Sequence, residues 1–236
     1  MINVGRGRTA GNHIMVELDP ENDHIKLKDG GILYVDTTFD PEKHVTVIGT
    51  VRAIPDRLVF DEKKPGEMPW DTDLELEVGD KVIMHYLAVL NCLRNEIKKY
   101  WIEDGRRYIF IQYRSIFTIL RGKEIIPING YCLIEPMSDK YIEDLRSRAD
   151  EAGIMLAGMK EKNNQRVVYG RVAYAGAPNR RYFEEEYTDE GTDIKPGDEV
   201  VMKKITDIPV EFEYHAKIDG GRKLWRVQRR DIMAIL

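Results

Sequence analysis

The sequence has few cysteines and no long apolar run. Only two of its 236 residues are cysteine, so the chain lacks the disulfide framework that stabilises many small secreted domains. No stretch approaches the roughly 18 consecutive apolar residues of a membrane-spanning helix, and no apolar run follows the early arginines as in a signal peptide. These absences predict a cytoplasmic protein with no membrane partner.

A surplus of basic residues is also absent. Lysine and arginine total 36 against 41 aspartates and glutamates, which gives a formal net charge of -5. Nucleic-acid binding depends on basic side chains that neutralise phosphates, so this balance argues against a nucleic-acid partner. Hydrophobic residues make up 42% of the chain, which is typical of a folded globular protein. The length suits one large β domain or two smaller ones.

Recognisable catalytic and metal-binding motifs are missing as well. The five histidines are scattered and have no zinc-binding spacing with Cys92 and Cys132. Both cysteines lie in apolar, strand-like surroundings, where a free thiol usually acts as a small core residue. We therefore expect no catalytic residue, no metal ion and no cofactor, and hence no enzyme activity.

The sequence does contain an internal repeat. The closing segment RDIMAIL at 230–236 has a counterpart, RSIFTIL, at 114–120. The segment VGDKVIM at 78–84 likewise returns as PGDEVVM at 196–202. Three further landmarks keep the same order at nearly the same offset: 48–51 with 169–172, 12–17 with 129–135, and 31–33 with 153–155. The repeat predicts a duplicated domain, residues 1–122 followed by residues 123–236.

Each half of the repeat consists mainly of β-strand patterns. Valine, isoleucine, tyrosine and phenylalanine are concentrated in short runs, in the first half at 14–18, 45–54, 81–87 and 108–112. A Gly-Asp pair precedes a strand in both halves, which predicts a tight turn. The one helical pattern covers residues 139–152. The predicted fold is therefore all-β, with two tandem small β-barrels, long loops and little helix.

The motifs of each half stand in a characteristic order. The first half has KDGGIL at 28–33, VGDKVI at 78–83 and SIFTIL at 115–120. The second half has AGIMLAG at 152–158, then YGRV, PGDEVV and DIMAI, the last at 231–235. This order resembles the co-chaperonin family typified by bacterial GroES, and the tandem arrangement is similar to the double-domain form found in plastids or to phage-encoded versions. The first half departs from the family pattern at Tyr34, where an aliphatic residue is usual.

The resemblance implies a function without chemistry, in which the protein caps a chaperonin ring and closes a chamber where a client folds. The implied partners are a GroEL-type chaperonin ring and further copies of the chain in a homo-oligomeric ring. The implied partner-binding residues, which belong to the family's mobile loop, are Ile154, Met155, Leu156, Ile32, Leu33 and Tyr34. Charged residues flank the triplet at 154–156, so this loop buries too little apolar area to order alone and offers a small plug for a groove.

Other interpretations stay open. Without the resemblance, the triplet at 154–156 would be read as a core strand, because apolar triplets are mostly buried. A structural ring or adaptor, such as a phage assembly or virion component, would use the same duplicated barrel without meeting a chaperonin. We expect self-assembly through strand edges at 116–120 and 232–236, since an edge strand offers unpaired backbone donors. The acidic run at 184–190 is either a solvated face or the polar rim of a ring.

Overall fold

A computed structural model describes residues that form two compact units. The described residues are 8–20, 24–26, 28, 30–34, 45–61, 63, 68, 70–94, 100–137, 167–182, 194–203, 222 and 224–236. The first unit comprises Met1–Asn129 and Pro178–Thr188, and the second comprises Gly130–Ala177 and Asp189–Leu236. The first unit thus includes a short segment of the second sequence repeat. The repeat ranges 1–122 and 123–236 are a different division and stay a prediction.

Short antiparallel strands dominate both units. In chain order they are β1 (His13–Leu18), β2 (His24–Lys26), β3 (Ile32–Tyr34), β4 (Ile48–Ala53), β5 (Trp70–Asp71), β6 (Lys81–Met84), β7 (Tyr100–Glu103), β8 (Arg106–Gln112), β9 (Ile116–Arg121), β10 (Glu124–Pro127), β11 (Tyr131–Pro136), β12 (Val167–Ala175), β13 (Arg181–Tyr182), β14 (Glu199–Lys203), β15 (Trp225–Gln228) and β16 (Ile232–Ile235). One α-helix, α1 (Tyr86–Arg94), and two 3-10 turns, Tyr113–Ser115 and Arg229–Asp231, are also described. The predicted all-β class is confirmed.

The two main sheets share a five-stranded topology. The first has the strand order β10-β9-β6-β4-β1-β8-β7, and the second has the order β15-β11-β12-β14-β16. Five neighbouring strands of the first sheet, β8, β1, β4, β6 and β9, therefore match the whole second sheet in order and in direction. A 3-10 turn precedes the last matching strand in both. The core of the second sheet is a cluster of buried side chains: Cys132, Ile134, Val172, Ile194, Val200, Met202 and Val227.

Each sheet has a glycine where two strands approach closely. A Cβ atom on Gly49 of β4 would lie 2.5 Å from Val16 Cγ1 and 2.6 Å from the Glu17 carbonyl oxygen on β1. Gly170 of β12 stands at the matching position, and a Cβ there would overlap Ile134 on β11. In both sheets the strand pairing shifts by one residue beside this contact. A backbone carbonyl this close leaves room for glycine alone.

Helix α1 corrects one local expectation. The strand predicted at 81–87 ends at Met84, and Cys92 lies in the helix rather than in strand-like surroundings. Leucine and alanine favour helix, and the buried residues Val89 and Cys92 are three positions apart, on one face. The Cys92 thiol donates a hydrogen bond to the Phe110 carbonyl oxygen on β8 at 3.2 Å. Packing against β8 therefore stabilises a helix in an apolar run that resembled a strand.

The edge predicted at residues 116–120 is not an edge. Strand β9 pairs with β6 on one side and with β10 on the other. Gly122, with a φ of 65°, lies in the two-residue turn that connects β9 to β10. A left-handed backbone of this kind suits the tight turn of a hairpin. Strand β10 therefore covers the side of β9 that was expected to pair with another molecule.

Candidate functional site

The first predicted partner-binding segment forms the second strand of a hairpin. Strand β3, which consists of Ile32, Leu33 and Tyr34, pairs with β2 in the register His24 to Tyr34 and Lys26 to Ile32. Gly30, in the connection, has a φ of 86°, and nothing lies within 4 Å of where its Cβ would be. Among the described strands, β2 and β3 pair only with each other. The hairpin therefore stands between β1 and β4 in the chain without joining the main sheet.

The second predicted segment lies outside the described residues. This holds for Ile154, Met155 and Leu156, for the helix expected at 139–152 and for the acidic run at 184–190. All of these stay predictions. In the chain, residues 154–156 fall between β11 and β12, which match β1 and β4. Both predicted segments therefore belong to the same connection of the repeated topology.

The Gly-Asp pair of the first repeat forms a tight turn before β6, as predicted. Gly79 has a φ of 101°, and its amide donates to the Val51 carbonyl at 2.9 Å. The Asp80 carboxylate accepts a hydrogen bond from the Glu77 amide at 2.8 Å, which closes the turn through the side chain. The turn is thereby fixed to strand β4.

The second repeat forms the same turn before β14. Gly197 has a φ of 99°, and its amide donates to the Val172 carbonyl at 2.7 Å. The Asp198 carboxylate accepts from the Lys195 amide at 2.7 Å. Each hydrogen bond of the first turn thus has a counterpart here. The geometry accounts for both residues of the motif as backbone structure.

Asp80 has an additional partner that Asp198 lacks among the described residues. Arg121 donates from Nε to Asp80 Oδ1 at 2.9 Å and from Nη2 to Oδ2 at 2.7 Å. Burial alone would raise the pKa of Asp80, but the hydrogen bonds from Arg121 and from the Glu77 amide, with the charge of Arg121, lower it below its ordinary value. The hydrogen bond to Asp80 in turn raises the pKa of Arg121. This paired charge joins β9 to the turn before β6.

A buried polar cluster that the sequence did not indicate lies beside β9. The Tyr113 hydroxyl lies 3.2 Å from Glu75 Oε2 and 3.2 Å from the Asp73 carbonyl oxygen. The backbone amide of Asn129 also donates to Glu75 Oε2, at 3.0 Å. Burial raises the pKa of Glu75, against the lowering effect of these hydrogen bonds. Burial likewise raises the pKa of Tyr113, and the negative charge of Glu75 adds to that rise.

A segment of the second repeat pairs with this part of the first unit. Strand β13 pairs with β5, and the Arg180 amide donates to the Asp71 carbonyl at 2.9 Å. The Arg180 guanidinium lies 3.1 Å from Asp71 Oδ1 and 3.0 Å from Asp73 Oδ1. The hydrogen bond to Asp71 is the largest cause that raises the pKa of Arg180. Sequence patterns do not predict that two strands of two residues each, so far apart in the chain, pair with each other.

Strand β16 is the outermost strand of the second sheet. It pairs with β14, and no described strand pairs with its other side. Met233, Ile235 and Leu236 are 53%, 44% and 52% exposed. An apolar edge of this kind offers backbone hydrogen-bonding groups together with apolar side chains to another strand. Of the two predicted edges, this one is open in the described structure.

The described residues contain no cluster of three or more histidine, cysteine, aspartate or glutamate side chains that could hold a metal ion. His13 and His85 are the histidines whose side chains are described, and both have local partners. The His13 ring lies 3.2 Å from the Ala10 carbonyl oxygen, and the His85 ring stacks on Tyr86. Within the same residues, no helix has the length and apolar character needed to cross a membrane.

Comparison with known proteins does not assign the chain to a family. The likeness to co-chaperonins therefore rests on the order of the sequence motifs and is a resemblance only. No family model matches the sequence, and no curated protein matches it significantly.

Proposed function

We propose that this chain is a tandem co-chaperonin that assists protein folding by capping a GroEL-type chaperonin ring in the cytoplasm, without catalysing a reaction. The proposed fold of each repeat is the small β-barrel of the GroES family. The observation that carries the proposal is the repeated strand order, in which the β2–β3 hairpin occupies the connection where that family has its mobile loop.

The proposed contacts with the chaperonin are Ile32, Leu33 and Tyr34 in the first repeat and Ile154, Met155 and Leu156 in the second. A short apolar segment of this kind binds weakly alone, because it loses conformational freedom when it docks. A ring of subunits compensates for this. Once one segment is bound, the others meet their sites at a high effective concentration, which raises avidity by about 100- to 10,000-fold.

Ring formation is proposed to use the open edge of β16. A strand of a second copy would extend the second sheet, much as β10 extends the first sheet beside β9. Two different surfaces of the chain would meet in this contact, and contacts of this kind generate rings when the rotation closes. The exposed side chains Met233 and Ile235 would be buried in it.

The test is binding of the full chain to a purified chaperonin ring with and without ATP. Leu33→Ser and Ile154→Ser each remove apolar contact area worth about 1.5–3 kcal/mol per bound segment. We expect both variants to lose association while their thermal unfolding changes little. Leu87→Ser, at an exposed leucine on α1, and Ile102→Ser, at an exposed isoleucine on β7, are the matched controls and should bind normally. Lowered thermal stability with intact association would contradict the proposal.

The alternative is a structural ring or adaptor that meets no chaperonin. The pairing of β2 with β3 fits this alternative insofar as it orders the connection, because a structural role requires ordered loops. Amide hydrogen exchange of the free protein separates the two. Rapid exchange at residues 32–34 and 154–156 that slows when the chaperonin is added supports capping. Strong protection in the free protein, unchanged by the chaperonin, supports the structural role.

A further inference from the structure

Ion-paired side chains, among them Glu17, Arg52 and Arg106, line a cleft of about 670 Å³ in the first unit. Glu17 lies on β1, between β4 and β8, and its side chain is only 17% exposed. Its Oε2 accepts a hydrogen bond from Arg52 Nε at 2.7 Å, and its Oε1 lies 3.5 Å from Arg106 Nη1. Lys81 Nζ and Asp19 Oδ2 form a further pair at 2.8 Å. A partly buried carboxylate therefore holds two guanidinium groups at the cleft.

Both arginines keep donors that a ligand could use. Within the described residues, the Arg52 side chain donates only from Nε, and the only partner of the Arg106 guanidinium is Glu17. Toward the described residues, the terminal nitrogens of Arg52 and most donors of the Arg106 guanidinium are thus unused beside the same carboxylate. A guanidinium group donates parallel hydrogen bonds to the oxygens of an anion. The arrangement is suited to an oxyanion that bridges the two side chains.

The second repeat shows which of these charges the fold itself needs. Glu135 stands at the matching position of β11, and it pairs with Arg222 at 2.8 Å, as Glu17 pairs with Arg106. The strand registers place Ala173 where Arg52 stands and Glu199 where Lys81 stands. The same sheet therefore forms without these two cations. In the second repeat Glu199 instead pairs with Arg171 at 2.8 Å, so the cations Arg52 and Lys81 are particular to the first repeat.

We propose that this cleft binds a phosphate group, either as the free ion or on a small phosphorylated molecule. The tetrahedral phosphate offers enough oxygens to accept from Arg52 and Arg106 together. Its negative charge suits a cleft whose described lining has three arginines, the third being Arg107, and two carboxylates. None of the described residues that line the cleft is aromatic, so this described lining offers no surface for stacking a nucleobase. The phosphate is thus the recognised part of the ligand. This site is independent of the proposed capping function.

The test is titration of the full chain with sodium phosphate against sodium chloride of equal ionic strength, followed by calorimetry and by the midpoint of thermal unfolding. We expect saturable binding that raises the midpoint. Arg52→Gln and Arg106→Gln should each weaken binding about tenfold, since each removes charge-assisted hydrogen bonds. Arg222→Gln is the matched control in the second repeat and should bind as the unmodified protein does. Arg52→Lys keeps the charge without the planar donors and should also weaken binding.

A parallel titration with glycerol 3-phosphate separates the two sources of phosphate. Tighter binding than inorganic phosphate supports a small phosphorylated molecule, and equal binding supports the free ion. Three results would overturn the proposal. They are a response to phosphate no larger than the response to chloride, an equal loss in Arg222→Gln and Arg52→Gln, or tighter binding of a glutamate-rich peptide than of either phosphate, which would indicate a protein partner instead.

Discussion

Asn129 occupies, two residues before β11, the position that Gly11 occupies two residues before β1. Both have a left-handed backbone, with φ values of 58° and 60°. Asn129 also uses its side chain, whose Nδ2 donates to the carbonyls of Tyr113 at 3.0 Å and Ile116 at 2.6 Å. Its Oδ1 accepts from Trp70 Nε1 at 3.3 Å. The buried side-chain amide of Asn129 therefore connects the 3-10 turn, the start of β9 and strand β5.

Replacement of Asn129 should be strongly destabilising. Asn129→Gly keeps the backbone conformation but leaves buried partners unsatisfied, and we expect a loss of about 2–3 kcal/mol in the free energy of unfolding. Asn129→Ala adds the cost of a left-handed backbone, about 1 kcal/mol more. Gly11→Ala is the control for that backbone cost alone. Urea denaturation measures all three, and an Asn129→Gly variant as stable as the unmodified protein would show that the side-chain hydrogen bonds contribute nothing.

Asp80 and Asp198 occupy matching turns, and among the described residues only Asp80 pairs with an arginine, Arg121. Comparing the two aspartates therefore isolates the effect of this ion pair. Asp80→Asn should lower the free energy of unfolding by about 1–3 kcal/mol at neutral pH, because it removes a nearly buried, charge-assisted contact. Asp198→Asn should cost less, since Asp198 accepts mainly from a backbone amide. Because folding lowers the pKa of Asp80, its contribution is present above the ordinary value of 3.8 and is lost as the pH falls through the lower folded value. Equal effects of the two substitutions at pH 7 would contradict this account.

Glu75 should show the opposite dependence on pH. Burial raises its pKa above 4.5, so its contribution to stability is full below that value and is lost as the pH rises through the folded value. Glu75→Gln keeps an oxygen that can accept from the backbone amide of Asn129, and it removes the negative charge of the carboxylate. We expect the variant to be more stable than the unmodified protein at pH 8, with the difference shrinking toward pH 4. Glu124→Gln, at an exposed residue of β10, is the control and should show no such trend in urea midpoints.

The β16 edge gives a direct test of self-assembly. Met233→Lys places a charge on an exposed position of the edge strand, which is a common protection against strand pairing between molecules. We expect the unmodified protein to form an oligomer and this variant to be a monomer in light scattering. Val78→Lys, at a residue that is 60% exposed in the first unit, should leave the oligomer intact. A monomeric unmodified protein at micromolar concentration would remove the basis of the ring.

The repeated motifs predict much of the topology. The Gly-Asp pairs mark the turns before β6 and β14, and their side-chain hydrogen bonds are those expected of aspartate in a tight turn. The apolar runs at 14–18 and 108–112 correspond to β1 and β8. These signals are local, since each depends on residues that are close in the chain. A motif of this kind can be read without knowing what packs against it.

Long-range contacts explain what the sequence did not predict. Residue type matches Asn129 with Asn12, but the strand registers make Gly11 the equivalent residue, and the left-handed backbone of both residues agrees with that. Helix α1 depends on packing against β8, and β10 depends on pairing with β9. The cleft around Glu17 brings together residues from β1, β4 and β8, whose side chains converge only after the sheet has formed.

The position of β13 in the chain determines when the first unit can be completed during translation. The first unit includes Pro178–Thr188, so its partner for β5 is synthesised only after all of β11 and β12. A nascent chain that ends at Asn129 therefore lacks Arg180 opposite Asp71 and Asp73. The chain between β5 and β13 must close into a loop before the two strands meet, and contacts so distant in sequence form slowly, which favours late formation of this pair. Translation of the second repeat thus completes the first unit.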